Sequence, residues 1–538
     1  MVEFDSPLQS PAAPPEGRSR RYATNVLWSW LGVVVSLCIG IVLSPYIIRK
    51  LGSEGYGLWT LLFATVGYYV LLDLGLGAAV QHFTAYHRAR NEPDHINEIL
   101  NTSLAYFSVA ALVLLGVTVF LSRFAHRIFQ ISAQYQGEFT LLILITGASF
   151  SLGIVFGVFN SSIEAFQRFD LSSRISLITN LSRAVGSVIV LASGGGLIAL
   201  GVVAVSSQVM GYVLAFLVFG RLFKPLRFSL TLVRVSVFKK LAGYAAHTVV
   251  ANLANLLLNF GPSVLIGNRL PVANVGFYGL PQRLLQYTGD AVSRVGYVTA
   301  INSTELMAEG RSESIQRLGI YSNRYCLLLF MPLTIFLLVY GYELLAVWVG
   351  SEFAAQSAPV LPILTVGTIL SVASQFNSSA ILFGIGKHQK FALGLLVEAV
   401  AGIAGIVLLI PRYGIVGVAW VTGILMILNR GLFTPWLLCR NFGWDYWPYL
   451  RSILLRPVLL GVAVGILARY GKSGLLPGRN LIELVVAGGL ITLLYFTLAF
   501  LTSVFPEHRQ LLRQWLAKSL RRPASEATGV RPKENGRF

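Results

Sequence analysis

An apolar stretch of the sequence carries four polar side chains at helical spacing: Arg283, Tyr287, Asp290 and Arg294. Separations of four, three and four residues place all of them on one face of a helix. A charge that faces lipid costs about 2.5 kcal/mol or more, so such a face is expected to line a bundle interior or a water-filled cavity. There Asp290 and Arg294 can pair, which leaves Arg283 to attract an anion.

Other polar residues within apolar runs extend this chemistry. Arg183 lies near the middle of its run, too deep to reach a membrane surface comfortably. Arg430 is expected either to snorkel to the interface or to line the cavity, whereas Arg324 is expected to snorkel. Three asparagines at spacings of three and four form a stripe suited to a hydroxyl-rich ligand, or equally to hydrogen bonds between helices. They are Asn252, Asn255 and Asn259.

Three acidic residues also lie within apolar runs, namely Asp73, Asp290 and Glu398. Each is either a salt-bridge partner for a buried arginine or a group that binds a proton or a cation during transport. The arginines within such runs outnumber these acids by two, so the enclosed cavity is expected to favour an anion. That sign of charge argues against an exporter of cationic drugs.

Motifs for enzyme chemistry are absent from the sequence. It has no GxxxxGK[ST] loop for ATP hydrolysis. Its 7 histidines and 3 cysteines show no spacing typical of metal ligands or redox pairs. The loops between apolar runs are too short to form a catalytic domain. We therefore expect no enzymatic activity, no cofactor and no bound metal.

The elements that must position these residues are apolar helices. The chain has 538 residues, of which 12% are charged, against about 25% in a soluble domain. A helix needs about 20 apolar residues to cross a bilayer. Such runs between residues 24 and 504 predict an all-α polytopic membrane protein with about 14 transmembrane helices. The fifth and sixth runs are separated by residues 193–196 alone, so thirteen helices result if they fuse.

The basic residues set the predicted orientation. Of the 42 Lys and Arg residues, 28 fall on the same side of the membrane as the N-terminus, 9 on the opposite side and 5 within the runs. Cytoplasmic segments carry the excess of Lys and Arg, so both termini are predicted to be cytoplasmic. The net charge of +19 is thereby explained by topology, and no nucleic-acid partner is expected.

An internal repeat relates the two halves of the chain. An offset of 219 residues aligns helices 1–3 with helices 7–9, pairing Gly57 with Gly276 and Tyr106 with Tyr325. Because the offset spans six helices, the two six-helix bundles, helices 1–6 and 7–12, are expected to be parallel repeats with the same orientation. Two such bundles around a cavity provide the geometry of alternating access.

The predicted organisation has six segments. These are a disordered cytoplasmic tail (1–23), a six-helix bundle (24–219), a basic cytoplasmic linker (220–240), a second six-helix bundle (241–438), an extra helix pair (451–504) and a basic cytoplasmic tail (505–538). The linker and the last tail mix basic and apolar residues. Each is therefore expected either to lie on the membrane surface or to remain solvated.

Several short motifs carry a family resemblance. They are YIIRKLG at 46–52, YGLW at 56–59, LDLGL at 72–76, and FSL at 228–230 ahead of the basic pair at 239–240. With these motifs the chain resembles an oligosaccharide-lipid flippase of the Wzx type. That family belongs to the multidrug/oligosaccharidyl-lipid/polysaccharide exporter superfamily, and the resemblance extends over about residues 22–505.

The resemblance implies a multi-pass protein of the bacterial inner membrane that acts in O-antigen or polysaccharide biosynthesis. Such a flippase moves an undecaprenyl-diphosphate-linked oligosaccharide repeat unit to the outer leaflet by alternating access, coupled to a proton or sodium gradient. The implied partners are this lipid-linked oligosaccharide, membrane lipids, and the polymerase and chain-length proteins of polysaccharide synthesis. Arg183, Arg283 and Arg294 would bind the diphosphate or acidic sugars, the three asparagines would bind hydroxyls, and one of the three acids would couple transport to the gradient.

Three other functions fit parts of the sequence. A multidrug cation antiporter belongs to the same superfamily, although the arginine excess counts against it. A peptidoglycan lipid-precursor flippase has the same helix number and a substrate with the same lipid diphosphate. A non-transporting scaffold of a polysaccharide-synthesis complex would need no charged cavity.

Overall fold

The computed structural model describes residues 16–73, 75–510 and 514. Every regular element among these residues is helical, which confirms the predicted all-α class. The predicted tails lie mostly outside the described residues. Residues 16–23 are an exception: they belong to the first helix rather than to a disordered tail, because a helix that is already nucleated extends at little cost.

The described part of the first half forms six helices. The helix α1 (Glu16–Gly67) bends at Gly52, where φ is 72°, and a 3₁₀ turn, Tyr68–Asp73, follows it. The other five are α2 (Leu76–Ala89), α3 (Pro93–Ile128), α4 (Gln136–Ala165), α5 (Phe169–Ala192) and α6 (Leu197–Leu222). The short turn between α5 and α6 contains Gly194 at a φ of 83°. These two helices are therefore separate, which removes the alternative of a single fused helix.

Up to residue 510, the second half contains ten helices. They are α7 (Val235–Arg269), α8 (Ala273–Ala308), α9 (Ser312–Val349), α10 (Ser351–Ser357), α11 (Val360–Ala373), α12 (Ser379–Gly384), α13 (Gln389–Leu425), α14 (Thr434–Phe442), α15 (Tyr446–Gly474) and α16 (Leu481–Thr502). Two π-helical segments interrupt them: Ser374–Ser378 joins α11 to α12, and Met426–Phe433 joins α13 to α14. Gly414 bends α13 at a φ of 55°.

Among the described residues, 11 helical stretches are long and apolar enough to cross a membrane, which agrees with a polytopic membrane protein. Two of these stretches contain the bends at Gly52 and Gly414, where the sequence predicts two helices each. The polar helix α8 is not among the eleven. The number fourteen and the cytoplasmic side of the termini stay predictions.

The apolar cores show where the two halves meet. One buried cluster contains residues of both halves, including Leu58 and Leu61 of α1, Tyr278 of α8 and Leu345 of α9. Toward the predicted cytoplasmic end, one cluster packs α2–α6 of the first half with the start of α7, and another contains residues from α7 to α15. The halves thus share one core near the predicted outer end, whereas near the other end the start of α7 is the part of the second half that joins the core of the first.

The segment between α6 and α7 is held against the first half. Asn97 on α3 donates to the Pro225 carbonyl over 3.0 Å and accepts from the Arg227 amide over 2.9 Å. Asn101 repeats this pattern one turn later, with the Arg227 carbonyl at 2.7 Å and the Ser229 amide at 2.9 Å. Two asparagine amides therefore pair with an extended backbone as a neighbouring strand would. The helix α7 then begins at Val235, within the range predicted as linker.

Candidate functional site

Arg283 stands at the junction of three cavities between the helices. On α8 it contributes to the lining of cavities of about 390, 630 and 650 Å³. Its Nη1 donates to Gln286 Oε1 over 3.1 Å, and its guanidinium lies 5.4 Å from the centre of the Tyr287 ring. No described carboxylate forms an ion pair with Arg283. The helical spacing of the sequence thus places this charge in a cavity, as predicted.

The 630 Å³ cavity, which we call the central cavity, is lined by α1, α4, α5, α7 and α8. Arg183 of α5 faces it from the first half and Arg283 of α8 from the second. Arg183 Nη2 donates to Asn180 Oδ1 over 3.1 Å, and Asn180 in turn lies 3.4 Å from Ser36 Oγ. The described lining of this cavity includes two arginines and no Asp or Glu. The described lining therefore carries a net positive charge, which favours an anionic guest.

The 650 Å³ cavity continues from Arg283 toward the predicted cytoplasmic end. Asp290 and Arg294 of α8 line it together with Glu164 at the end of α4. The predicted pairing of Asp290 with Arg294 is absent, since no ion pair joins these two described residues. Both side chains are exposed, and water competes effectively for exposed ion pairs.

The 390 Å³ cavity lies within the second half. Asn255 and Asn259 of α7 line it beside Gln282 and Gln286 of α8. Asn259 and both glutamines also line the central cavity, so an amide-rich wall connects the two spaces. Asn252 lines neither cavity. The predicted stripe thus reaches these cavities through two of its three members.

Glu398 and Arg430 form a buried ion pair at the back of the 390 Å³ cavity. Arg430 Nε lies 2.9 Å from Glu398 Oε1, and Asn429 donates to Glu398 Oε2 over 2.7 Å. Arg430 Nη1 also donates to Gln375 Oε1 over 3.0 Å. With 3% of Glu398 and 9% of Arg430 exposed, Arg430 does not snorkel to the interface. This geometry favours the interpretation of Glu398 as a salt-bridge partner.

The two π-helical segments position Arg430 and its hydrogen-bond partner Gln375. Gln375 belongs to one of them and Arg430 to the other. A π-helical turn widens the backbone by one residue and rotates the side chains that follow. The rotation lets Arg430 reach Gln375 and Glu398 at once. The guanidinium, the amide oxygen and the carboxylate, each costly to bury alone, thereby satisfy one another.

Asp73 has a local structural role. Its Oδ1 accepts a hydrogen bond from the Gly77 amide over 3.1 Å at the start of α2. The intervening Gly75 has a φ of 78°, which bends the chain back so that the carboxylate reaches the helix end. A carboxylate in this place satisfies free amides and the helix dipole. Asp73 is not part of the lining of the three cavities.

The predicted outer end of the central cavity is closed by contacts between the halves. Trp348 Nε1 at the end of α9 donates to the Ile41 carbonyl of α1 over 2.8 Å. Arg49 donates to the Trp348 carbonyl over 3.3 Å, and Tyr56 packs edge-on against Phe353 at a centroid distance of 6.0 Å. These contacts link the first half to α9 and α10, so a guest in the cavity has no direct exit at this end.

Several lining residues were not singled out from the sequence. Glu164 accepts from Ser172 Oγ over 3.0 Å and from Asn160 Nδ2 over 3.3 Å. The face of α5 that borders the cavities carries polar residues at helical spacing, a signal present in the sequence. Besides the predicted Arg183, these residues are Ser172, Ser176, Asn180 and Ser187.

Comparison with known proteins places the chain in a family. The model of a family described as polysaccharide biosynthesis protein matches residues 22–292. A putative O-antigen transporter of Shigella flexneri is 22% identical over 77% of this chain and 97% of the relative. An uncharacterized membrane protein of Bacillus subtilis, EpsK, is 22% identical over 93% of this chain and 99% of its own length.

Solved structures agree on the fold. A lipid II flippase, MurJ, in an inward closed conformation superposes with a TM-score of 0.67 at 14% identity, over 88% of this chain and 99% of that protein. An inward-facing multidrug resistance transporter of the MATE family, itself a member of the MOP superfamily, superposes with a TM-score of 0.61 at 14% identity, over 76% of this chain and 99% of that protein. The expected resemblance to Wzx-type flippases is confirmed, and the protein is a multi-pass membrane transporter, not an enzyme. The chain belongs to the polysaccharide biosynthesis protein family.

Proposed function

We propose that the protein flips undecaprenyl-diphosphate-linked oligosaccharide repeat units from the cytoplasmic to the outer leaflet. The observation that carries this proposal is the acid-free central cavity lined by Arg183 and Arg283 from opposite halves. A lipid diphosphate bears two or more negative charges, and guanidinium groups bind phosphate oxygens through directional, charge-assisted hydrogen bonds. One arginine on each half lets the anion bridge the two halves.

The arrangement of the halves supports alternating access. Contacts between α1, α9 and α10 close the predicted outer end, while the 650 Å³ cavity extends toward the predicted cytoplasmic end. We assign the structure to an inward-opening state. We also propose fourteen spanning helices with cytoplasmic termini, arranged as two parallel six-helix repeats and an extra C-terminal pair.

The amide-rich wall suits the sugars. Asn255, Asn259, Gln282 and Gln286 present donors and acceptors beside the arginines, and amides match the mixed donor and acceptor character of sugar hydroxyls. Arg294 lies nearer the predicted cytoplasmic entrance. There it would attract the diphosphate before it reaches Arg283.

Asp290 is the best of the three proposed coupling groups. Glu398 is neutralised by Arg430, and Asp73 caps α2. Asp290 has an exposed carboxylate that lines two cavities within two turns of Arg283. A proton or sodium ion bound there would reduce its attraction for Arg283 and leave that arginine free for the anion.

Complementation tests the proposal. A deletion strain would receive the wild type, Arg183→Ala, Arg283→Ala, or the control Arg123→Ala, whose exposed side chain lies outside the three cavities. We expect surface polysaccharide from the wild type and the control. The two cavity variants, present at equal levels, should accumulate lipid-linked units in the inner leaflet. Full polymer from both cavity variants would contradict the proposal and would favour a non-transporting scaffold in the synthesis complex.

One alternative function shares the fold. The similarity to the lipid II flippase makes a peptidoglycan-precursor flippase the second candidate, because its substrate carries the same lipid diphosphate. Rescue of a strain depleted of its lipid II flippase, with normal surface polysaccharide in the deletion strain, would support this alternative. A multidrug cation antiporter is disfavoured by the positive central cavity.

A further inference from the structure

The turn between α2 and α3 gathers three side chains that none of the transport functions uses. His87 lies near the end of α2, Glu92 precedes the start of α3, and His95 lies in the first turn of α3. The turn is on the predicted cytoplasmic side, away from the three cavities. Their separation in sequence matches none of the usual metal-binding motifs, so the sequence alone does not group them.

The backbone of the turn brings these residues together. Asn91 has a φ of 56°, a left-handed conformation that Asn tolerates better than most residues. The Asn91 amide donates to the Arg88 carbonyl over 3.1 Å, and the Glu92 amide donates to the His87 carbonyl over 3.0 Å. The chain therefore reverses within a few residues and returns Glu92 to the side of His87.

The side-chain geometry is close to that of a metal site. His87 Nδ1 lies 2.6 Å and His95 Nδ1 lies 3.9 Å from Glu92 Oε2. The two imidazole rings are parallel within 4°, with centroids 4.9 Å apart. One candidate ligand atom from each residue lies within 4.8 Å of the others. Ligands on a tetrahedral zinc ion are about 3.3 Å apart, so side-chain shifts of about 1 Å complete the site.

We propose that His87, Glu92 and His95 bind a divalent transition-metal ion of the zinc class at this turn. Two imidazole nitrogens and one carboxylate suit Zn²⁺, Ni²⁺ or Cu²⁺, whereas Ca²⁺ and Mg²⁺ prefer oxygen ligands alone. A water molecule completes the coordination, because three protein ligands leave a fourth position open.

A metal ion here would act on the segment that connects the halves. It would tie the end of α2 to the start of α3, directly before Asn97 and Asn101. These two asparagines hold the connecting segment through Pro225, Arg227 and Ser229. A bound ion would therefore stabilise the contacts that hold the connecting segment against the first half, just before α7 begins.

Metal titration of the purified full-length protein tests the proposal. The protein is prepared in detergent without a polyhistidine tag, and ZnCl₂ binding is measured by calorimetry. We expect one strong site in the wild type and a dissociation constant raised more than about tenfold in His95→Ala and in Glu92→Gln, since even outer-shell changes cost tenfold or more. His126→Ala, which removes an exposed histidine elsewhere, serves as the matched control.

A second measurement separates specific binding from weak surface binding. Zinc should slow amide hydrogen exchange at residues 86–96 in the wild type and in His126→Ala, and should leave it unchanged in His95→Ala, whose exposed side chain the fold does not need. Equal zinc affinity in all four proteins, or no binding to the wild type, would overturn the proposal. Both assays use protein without substrate, so a negative result leaves the proposed transport function intact.

Discussion

Gly57 and Gly276 lie against each other where the two halves meet. A side-chain carbon on Gly276 would lie 3.3 Å from the Gly57 backbone nitrogen and 3.0 Å from the Tyr56 ring. The two glycines are related by the 219-residue offset of the predicted internal repeat. Positions that this predicted repeat makes equivalent therefore supply a close backbone contact between the halves near the predicted outer end.

Gly57→Val is expected to separate the halves at this contact. A Cβ at this position would overlap the Val272 carbonyl oxygen, and backbone atoms cannot move aside as a flexible side chain can. We predict a protein that still inserts and is expressed, with increased labelling of cysteines placed near Thr60 from the outer side. Gly116→Val, at a site with open space around it, should leave labelling unchanged. Equal labelling of both variants would contradict this role of the glycine contact.

Removing one member of the buried Glu398–Arg430 pair is expected to destabilise the protein. Glu398→Ala leaves the guanidinium buried without a carboxylate, a change that costs about 3 to 5 kcal/mol. Thermal unfolding in detergent should show a clear decrease in Tm. The double variant Glu398→Leu with Arg430→Met should restore most of the lost Tm, since neither residue then buries a charge. A Tm unchanged in Glu398→Ala would show that the pair contributes little.

The asparagine contacts to the connecting segment are expected to protect it. Asn101→Ala removes the side-chain hydrogen bonds to the Arg227 carbonyl and the Ser229 amide, and a typical intramolecular hydrogen bond contributes about 0.5 to 1.5 kcal/mol. Limited proteolysis should cut residues 223–234 faster in this variant than in the wild type. Asn274→Ala, which removes an exposed local hydrogen bond, is the control. Identical cleavage rates in Asn101→Ala and the wild type would contradict this protective role of the asparagine contacts.

Neutralising the proposed coupling group should separate binding from transport. Asp290→Asn keeps the shape of the side chain and removes its charge, so substrate binding should persist while transport no longer responds to an imposed ion gradient. Asp73→Asn is the comparison, because its carboxylate faces the start of α2 rather than a cavity. The flipping rate of the reconstituted protein is measured with and without the gradient. The rate without the gradient tests whether the substrate still binds, and the change on imposing the gradient tests coupling. Gradient-dependent flipping by Asp290→Asn would move the coupling role elsewhere, with Glu164 the next acid along the 650 Å³ cavity.

The sequence predicts the site best where a single helix carries the signal. The spacing of Arg283, Tyr287 and Asp290 is a property of one helix, and the structure places all three along the cavities. The polar residues of α5 also lie on one face because of their spacing within a single helix, so the whole face could have been recognised from the sequence. For the same reason, the apolar runs predict the all-helical class.

Features that depend on contacts between distant segments could not be predicted. Glu398 and Arg430 are separated by a bend at Gly414, and Arg430 lies on a π-helical segment that follows this bend. Neither feature is indicated by apolar periodicity. Likewise, His87 and His95 meet because Asn91 adopts a left-handed conformation. Asn252 continues the stripe of α7 in sequence but lies beyond the reach of the two cavities that its neighbours line.

Arg183 and Arg283, from opposite halves, are proposed to bind the anionic head of a lipid-linked oligosaccharide. The most direct test is the flipping rate of a fluorescent polyprenyl-diphosphate oligosaccharide by purified protein in proteoliposomes. Loss of one charge-assisted contact costs about 1.5 to 3 kcal/mol, so Arg183→Ala and Arg283→Ala should each flip at least about tenfold more slowly than the wild type and Arg123→Ala. Equal rates for all four proteins would contradict the claim.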